Sequence, residues 1–218
     1  MENGSAQGPV AWPWPLFGLR LGTAELELRP ARESDCLALA ARVPDDLELD
    51  PDATRYAVDE PLNRRAAILQ GWWRALGTWT PDGWILPLAV VHDGDVVGSQ
   101  TLEGPGFRST RTVDTASWLV PDARGRGWGT QARAAVLELA FGVLGAEAAV
   151  TSAWRDNHAS LGVSRSLGYA DNGVQLHPRG DSRDEMVHLR MSRAVWTSRA
   201  RPAVTIEGFE ACRPYFGL

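Results

Sequence analysis

The chain has 218 residues, 44% of them hydrophobic, and a net charge of −5: material for one domain, 1–218, and too acidic for the basic face that nucleic-acid binding needs. All 22 cationic side chains are arginine, which excludes a nucleoside-triphosphate P-loop, a protein kinase and a pyridoxal enzyme, since each requires a lysine. Cys36 and Cys212 form neither a disulfide framework nor a zinc site, and no apolar run approaches the roughly 18 residues that span a bilayer, so a soluble cytoplasmic protein without metal or membrane attachment is expected.

In chain order, residues 1–15 lack any period and read as a flexible arm. Residues 21–29 alternate (Leu26 and Leu28 against Glu25, Glu27 and Arg29) and predict a first strand that ends at Pro30. Ser34 then caps a helix reaching about Val43, stopped by Pro44. The segment 45–60 is strongly acidic, with Asp45, Asp46, Glu48, Asp50, Asp52, Asp59 and Glu60 against Arg55. Residues 61–76 predict a second helix with a wide apolar face that includes Trp72 and Trp73. A hairpin, 84–91 with 95–103, turns at Asp93-Gly94, and 113–120 adds a strand. A glycine-rich turn leads into a helix over 131–144, then a buried strand, 148–154, and a short helix, 157–167, ending at Gly168. Two closing strands, 169–175 and 185–195, flank a polar loop, 177–184. The extension 197–218 is too apolar for a disordered tail and is expected to pack on the domain or on a partner.

The turn Arg124-Gly125-Arg126-Gly127-Trp128-Gly129-Thr130 stands between a strand and a helix. Alternate glycines let the backbone fold closely round a ligand, and the helix start offers unpaired N–H groups, which together suit a phosphate. A dinucleotide fingerprint fits poorly, because Thr130 occupies the place of its third glycine. The pattern Arg124-x-x-Gly127-x-Gly129 resembles the pyrophosphate loop of the GNAT superfamily of N-acetyltransferases. A second piece, Asn157-x-x-Ser160-x-x-Val163 followed by Leu167-Gly168-Tyr169, is similar to a signature of its RimJ/RimL-like branch, as is the opening strand, Leu-Arg-Pro and capped helix. The resemblance covers about residues 21–196. It implies an α/β GNAT fold: a mostly antiparallel sheet of about seven strands with a splayed parallel central pair, and about four helices. The implied activity is transfer of acetyl from acetyl-CoA to an amine by direct attack in a ternary complex, with no metal.

On that resemblance the backbone of Trp118, Leu119 and Val120 takes the pantetheine arm, with an N–H near Leu119 polarising the thioester carbonyl. Arg124, Gly125, Arg126, Gly127, Trp128, Gly129 and Thr130 hold the pyrophosphate, Asn157 caps its helix and bonds pantetheine, and Ser160 protonates the departing thiolate. Many relatives use a tyrosine four residues on, where this chain has Ser164, so Tyr169 does not inherit that role. Acceptor amines are mostly protonated at neutral pH, with pKa about 8 for an α-amine and about 10 for a lysine, so a carboxylate base is expected: Glu103 first, Asp114 second. None of the four histidines has partner spacing for catalysis. The acidic segment and Trp72, Trp73, Trp79 and Trp84 favour a cationic acceptor on an apolar body, either an N-terminal peptide or protein amine or an amine-bearing natural product, with room for a homodimer. The same motifs also fit a non-catalytic acyl-CoA-binding module.

Overall fold

In the computed structural model, which describes residues 14–47, 53–56 and 58–218, the alternating stretch 21–29 is a hairpin and not one strand: β1 (Arg20–Gly22) and β2 (Glu27–Pro30). Thr23 closes it. Its N–H donates to Leu26 O at 2.8 Å, and the Leu26 N–H donates to the Thr23 hydroxyl at 3.0 Å, a local bond by which Thr reverses a chain without glycine or proline. Helix α1 (Glu33–Ala41) begins one residue before Ser34. Asp35 does the capping, accepting the Arg32 N–H at 2.8 Å while it holds the Arg29 guanidinium at 2.5 and 2.9 Å. Helix α2 (Glu60–Gly77) is capped by Asp59, which accepts from Leu62 N–H at 2.8 Å.

The hairpin β3 (Trp84–His92) and β4 (Asp95–Gly104) turns through Asp93 and Gly94, both at positive φ. There follow α3 (Phe107–Thr110), β5 (Thr112–Leu119), α4 (Trp128–Glu138) running on through a π-helical turn (Leu139–Leu144), β6 (Ala148–Trp154) and α5 (His158–Leu167). The stretch 177–184, polar enough to read as a loop, instead extends both β7 (Ala170–Arg179) and β8 (Ser182–Ser192) to a two-residue turn at Gly180-Asp181. Its polarity reflects exposure of nearly all of β7, not the absence of pairing. Residues 193–195 are helical: the Ser192 hydroxyl accepts from Val195 N–H and starts α6 (Arg193–Ser198). Then come β9 (Thr205–Glu207), α7 (Phe209–Cys212) and a 3-10 turn (Arg213–Phe216).

All nine strands join one sheet in the order β7-β8-β6-β5-β4-β3-β2-β1-β9, antiparallel except for β5 and β6. The strands beyond the expected seven come from the unforeseen first hairpin and from β9, which pairs with β1. Because side chains alternate across a strand, the sheet has two unlike faces. Leu86, Leu88 and Val90 join the main core with α4, while Ala89 and Val91 pack with Cys36, Ile68, Leu69 and Trp72 of α1 and α2. On the second face the cover of α1 and α2 lies over β2, β3 and β4, and Glu103, Asp114 and Ser152 stand beyond it.

The tail carries a large aromatic share of the core. Phe216 is fully buried, with ring centroids 4.9 Å from Trp84, 5.3 Å from Trp79 and 5.9 Å from Phe209. Trp79 and Trp84, expected to line an acceptor groove, therefore belong to this cluster, and the Trp79 indole donates to Tyr215 O at 2.8 Å. Truncating Phe216 to Ala should cost about 3–5 kcal/mol in denaturant unfolding, the range for a buried aromatic whose site cannot collapse; a loss no larger than that of an exposed residue would place the tail outside the cooperative unit.

Candidate active site

The parallel strands β5 and β6 pair only at Thr112, Val113 and Asp114, opposite Ala148, Ala149 and Val150, and then part. Side chains finish the ladder. The Thr151 hydroxyl donates to Thr115 O at 2.7 Å, the Thr115 hydroxyl donates to Val150 O at 3.4 Å, and the Thr115 N–H donates to the Asp114 carboxylate at 2.6 Å. Beyond this vertex the edge of β5 faces open space. Val120 N–H donates to Val97 O at 3.0 Å, which makes Gly98 and Leu119 a non-hydrogen-bonded pair, so the N–H and C=O of Leu119 point away from β4 into the fork. Those of Ser117, two residues back, do the same. Trp118 pairs with Ser99 of β4, Val120 N–H is used by Val97 O and Val120 O by Ala123 N–H, so the available edge is Ser117 and the Leu119 N–H, and Ser117 was not foreseen. Gly98 permits this close approach: a Cβ there would lie 2.5 Å from Trp118 O.

The glycine turn sits at the mouth of the fork. The N–H groups of Gly125, Arg126, Gly127, Trp128 and Gly129 have no partner among the described residues, whereas Arg124 N–H is used by Pro121 O and Thr130 N–H by Gly127 O. Gly125 and Gly127 adopt φ of +75° and +80°, the left-handed region that glycine enters at no steric cost, and a Cβ at either would meet only open space. The result is a cradle of consecutive donors at a helix N-terminus, suited to an anion. Trp128 contributes backbone only; its buried indole packs 4.1 Å from the His92 ring, under the Arg126 guanidinium at 5.0 Å. Gly129 faces Leu119 and Val163, so β5, α4 and α5 meet across this gap.

Arg124 is engaged. It holds Asp46 at 2.6 and 2.8 Å and Leu119 O at 3.2 Å, and the Asp46 carboxyl is held below its ordinary range by that guanidinium. Asp45 pairs with Arg64 at 3.7 Å and Glu60 with Arg55 at 2.6 Å, so much of the acidic segment is neutralised by arginine; Glu48, Asp50 and Asp52 lie outside the described residues. Trp73 on α2 is exposed, and Trp72 bonds Ala31 O at 2.8 Å.

Asn157 caps α5, accepting from Ser160 N–H at 3.0 Å. Ser160 is half-buried, and its hydroxyl has no protein partner among the described residues. The Ser164 hydroxyl, one turn on and on the same helix face, donates to Ser160 O at 2.9 Å. Tyr169 is buried behind the vertex, 3.2 Å from the Thr115 hydroxyl, and burial pushes its hydroxyl up to about 12.

On the less covered face, Glu103 and Asp114 are cross-strand neighbours. A cavity of about 350 Å³ is lined by Asp114, Ser152, Asn172, Gln175 and His188. Burial raises the Asp114 carboxyl above its ordinary range, opposed by the Thr115 N–H and by the charges of Arg133 and His188. His188 Nε2 is buried without a partner in the described structure. Sequence spacing gave no sign of His188, because its neighbours come from β5, β6 and β7.

A model of the acetyltransferase (GNAT) domain matches residues 25–170. Among solved structures, the chain is similar to Mycobacterium smegmatis RimJ, solved in complex with CoA-disulfide: TM-score 0.64, 20% identity, over 85% of this chain and 95% of that one. A spermidine N-acetyltransferase chimera built from Vibrio cholerae SpeG and hSSAT gives 0.63 at 11% identity, over 81% and 100%. A GCN5-related N-acetyltransferase from Brucella melitensis gives 0.60 at 18%, over 82% and 80%.

If a pyrophosphate and Asp46 compete for Arg124, Asp46→Asn should tighten acetyl-CoA binding by up to about fivefold at low salt, the size of an exposed ion pair, and the gain should shrink at high salt. Weaker binding in calorimetry would mean that the pair orders the loop.

Proposed function

The chain belongs to the GNAT acetyltransferase family, and from that premise we propose that it transfers the acetyl group of acetyl-CoA to a primary amine by direct attack within a ternary complex. The observation that carries this reading is the fork: an open β5 edge at Ser117 and the Leu119 N–H beside a cradle of unpaired N–H groups at 125–129. That pairing of features suits a ligand with a pyrophosphate at one end and an amide-bearing arm at the other, since the arm can add to the strand edge as a further strand would.

In this reading the Leu119 N–H donates to the thioester oxygen and stabilises the charge that develops there. The amine nitrogen attacks the carbonyl carbon from the Asp114 side, the C–N bond forms, and the C–S bond breaks. Asp114, by position and by its raised pKa, is a better base than Glu103: a carboxyl above the ordinary range is a stronger proton acceptor. The thiolate leaves toward α5, where the Ser160 hydroxyl supplies a proton. The acceptor cavity, with one carboxylate, a histidine and two amides, suits an ammonium on a peptide N-terminus or an amine-bearing natural product better than an anionic metabolite.

Thiol release from acetyl-CoA with a panel of amines tests the reaction, and a chain that binds acetyl-CoA but turns over no acceptor would be a binding module instead. Asp114→Asn should lower kcat/KM by about 100-fold or more, the usual range for a general base, and abolish the acid limb of the pH profile. Glu103→Gln should leave that limb in place. Ser160→Ala should reduce kcat with little change in acetyl-CoA affinity; equal losses in both would make it a binding residue.

A further inference from the structure

Arg133 is 2% exposed, on the helix that follows the glycine turn, and among the described residues its side-chain partners are hydroxyls, with no carboxylate. Arginine stays protonated in proteins, so a full charge is buried here, a costly arrangement unless hydrogen bonds compensate it. Its Nη1 donates to Ser164 Oγ at 3.1 Å and Thr151 Oγ1 at 3.4 Å, its Nη2 donates to Ser117 Oγ at 2.9 Å, and its Nε has no partner in the described structure. These three hydroxyls belong to α5, β6 and β5, the three elements that bound the fork, and they lie just past the point where strand pairing stops.

We infer that Arg133 is a positioning residue, a strut that crosses the gap between β5 and β6 and fixes the width of the fork into which the acyl donor's arm must fit. A flat guanidinium with several donors can tie three elements at once, which an ammonium or an apolar side chain cannot. The hydroxyls are arranged to accept from it: Thr151 gives its own proton to Thr115 O and Ser164 gives its own to Ser160 O. The same charge bears on Asp114, which also faces Glu103 on β4, His188 on β8 and Tyr169 behind α5. Burial raises the Asp114 pKa and Arg133 opposes that rise, so removing the cation raises it further. This last consequence rests on Asp114 being the base; the strut does not.

The test uses Arg133→Met and Ser117→Ala with three readouts: amide hydrogen exchange without ligand, acetyl-CoA affinity by calorimetry, and the acid limb of kcat/KM. Arg133→Met should fold, because replacing a buried ion by an apolar residue of similar size leaves no unpaired charge behind. Exchange at 115–119 and 151–154 should quicken while β2 and β3 are unaffected, acetyl-CoA affinity should fall roughly tenfold through lost preorganisation, and the acid limb should move to higher pH. If Arg133→Met does not fold, Ser117→Ala, which cuts only the half-buried end of the strut, should show the first two effects in smaller measure. Unchanged exchange and affinity would overturn the proposal and leave Arg133 as core filling. Faster exchange with no acetyl-CoA binding in either protein would keep the strut and sink the acetyl-CoA reading, while a stationary acid limb alone would remove Asp114 as base.

Discussion

The constraint on which the rest of this structure depends is that two neighbouring parallel strands stop pairing after three residues and stay apart. Every backbone group released by that separation needs a partner, at a cost of about 1–3 kcal/mol for each one buried without it. At the vertex the protein supplies those partners itself, through Thr115, Thr151 and Asp114. Further out it leaves Ser117 and the N–H of Leu119 open, while Leu119 O accepts from Arg124, and in the proposed reading this edge is where the acyl donor's arm adds. The candidate active site is thus an interrupted sheet, and the polar residues around it are there first because the interruption requires them.

Charge is distributed to match. Arg133 crosses the gap from the covered face, and Asp114 stands at the vertex on the other, near enough for each to shift the other's titration. Burial raises the proton affinity of Asp114, and the Thr115 N–H and the Arg133 charge oppose that rise. At the mouth of the fork Arg124 binds Asp46 of the segment between α1 and α2 and also Leu119 O. One guanidinium therefore links the glycine turn, the end of β5 and the segment between α1 and α2.

What was legible in the sequence was local. The glycine turn, the Asn157 cap and the Asp93-Gly94 hairpin depend on residues within a few positions of one another, and they appear where the spacing put them. The errors came from distant partners or from exposure. Thr23 closes a turn with a side chain that alternation does not weigh, and β7 is polar because both its faces meet solvent. Arg133 lies in an alanine-rich helix where an isolated arginine reads as surface; its burial depends on hydroxyls at 117, 151 and 164, whose convergence only the fold provides. The tryptophans at 79 and 84 were assigned to a groove because their partners, Tyr215 and Phe216, lie more than a hundred residues away.

The two faces of the sheet also bear on the order of chemistry. The cradle of unpaired N–H groups opens at the start of α4, on the face packed with α4 and α5, whereas the cavity with Asp114 and His188 lies on the face that α1 and α2 leave open beyond β4. In the proposed reaction, donor and acceptor approaching from opposite sides meet only at the fork, which favours a single displacement over a relay through the protein. The chain's two thiols agree with this. Burial pushes Cys36 up to about 12 and Cys212 up to about 11, and they sit in α1 and the tail, away from Leu119 and Asp114. A thiol so far above neutrality carries almost no thiolate and makes a poor nucleophile. In the proposed reaction the amine is then the nucleophile, with the thioester held in the fork and polarised at Leu119 and the amine's proton accepted at Asp114.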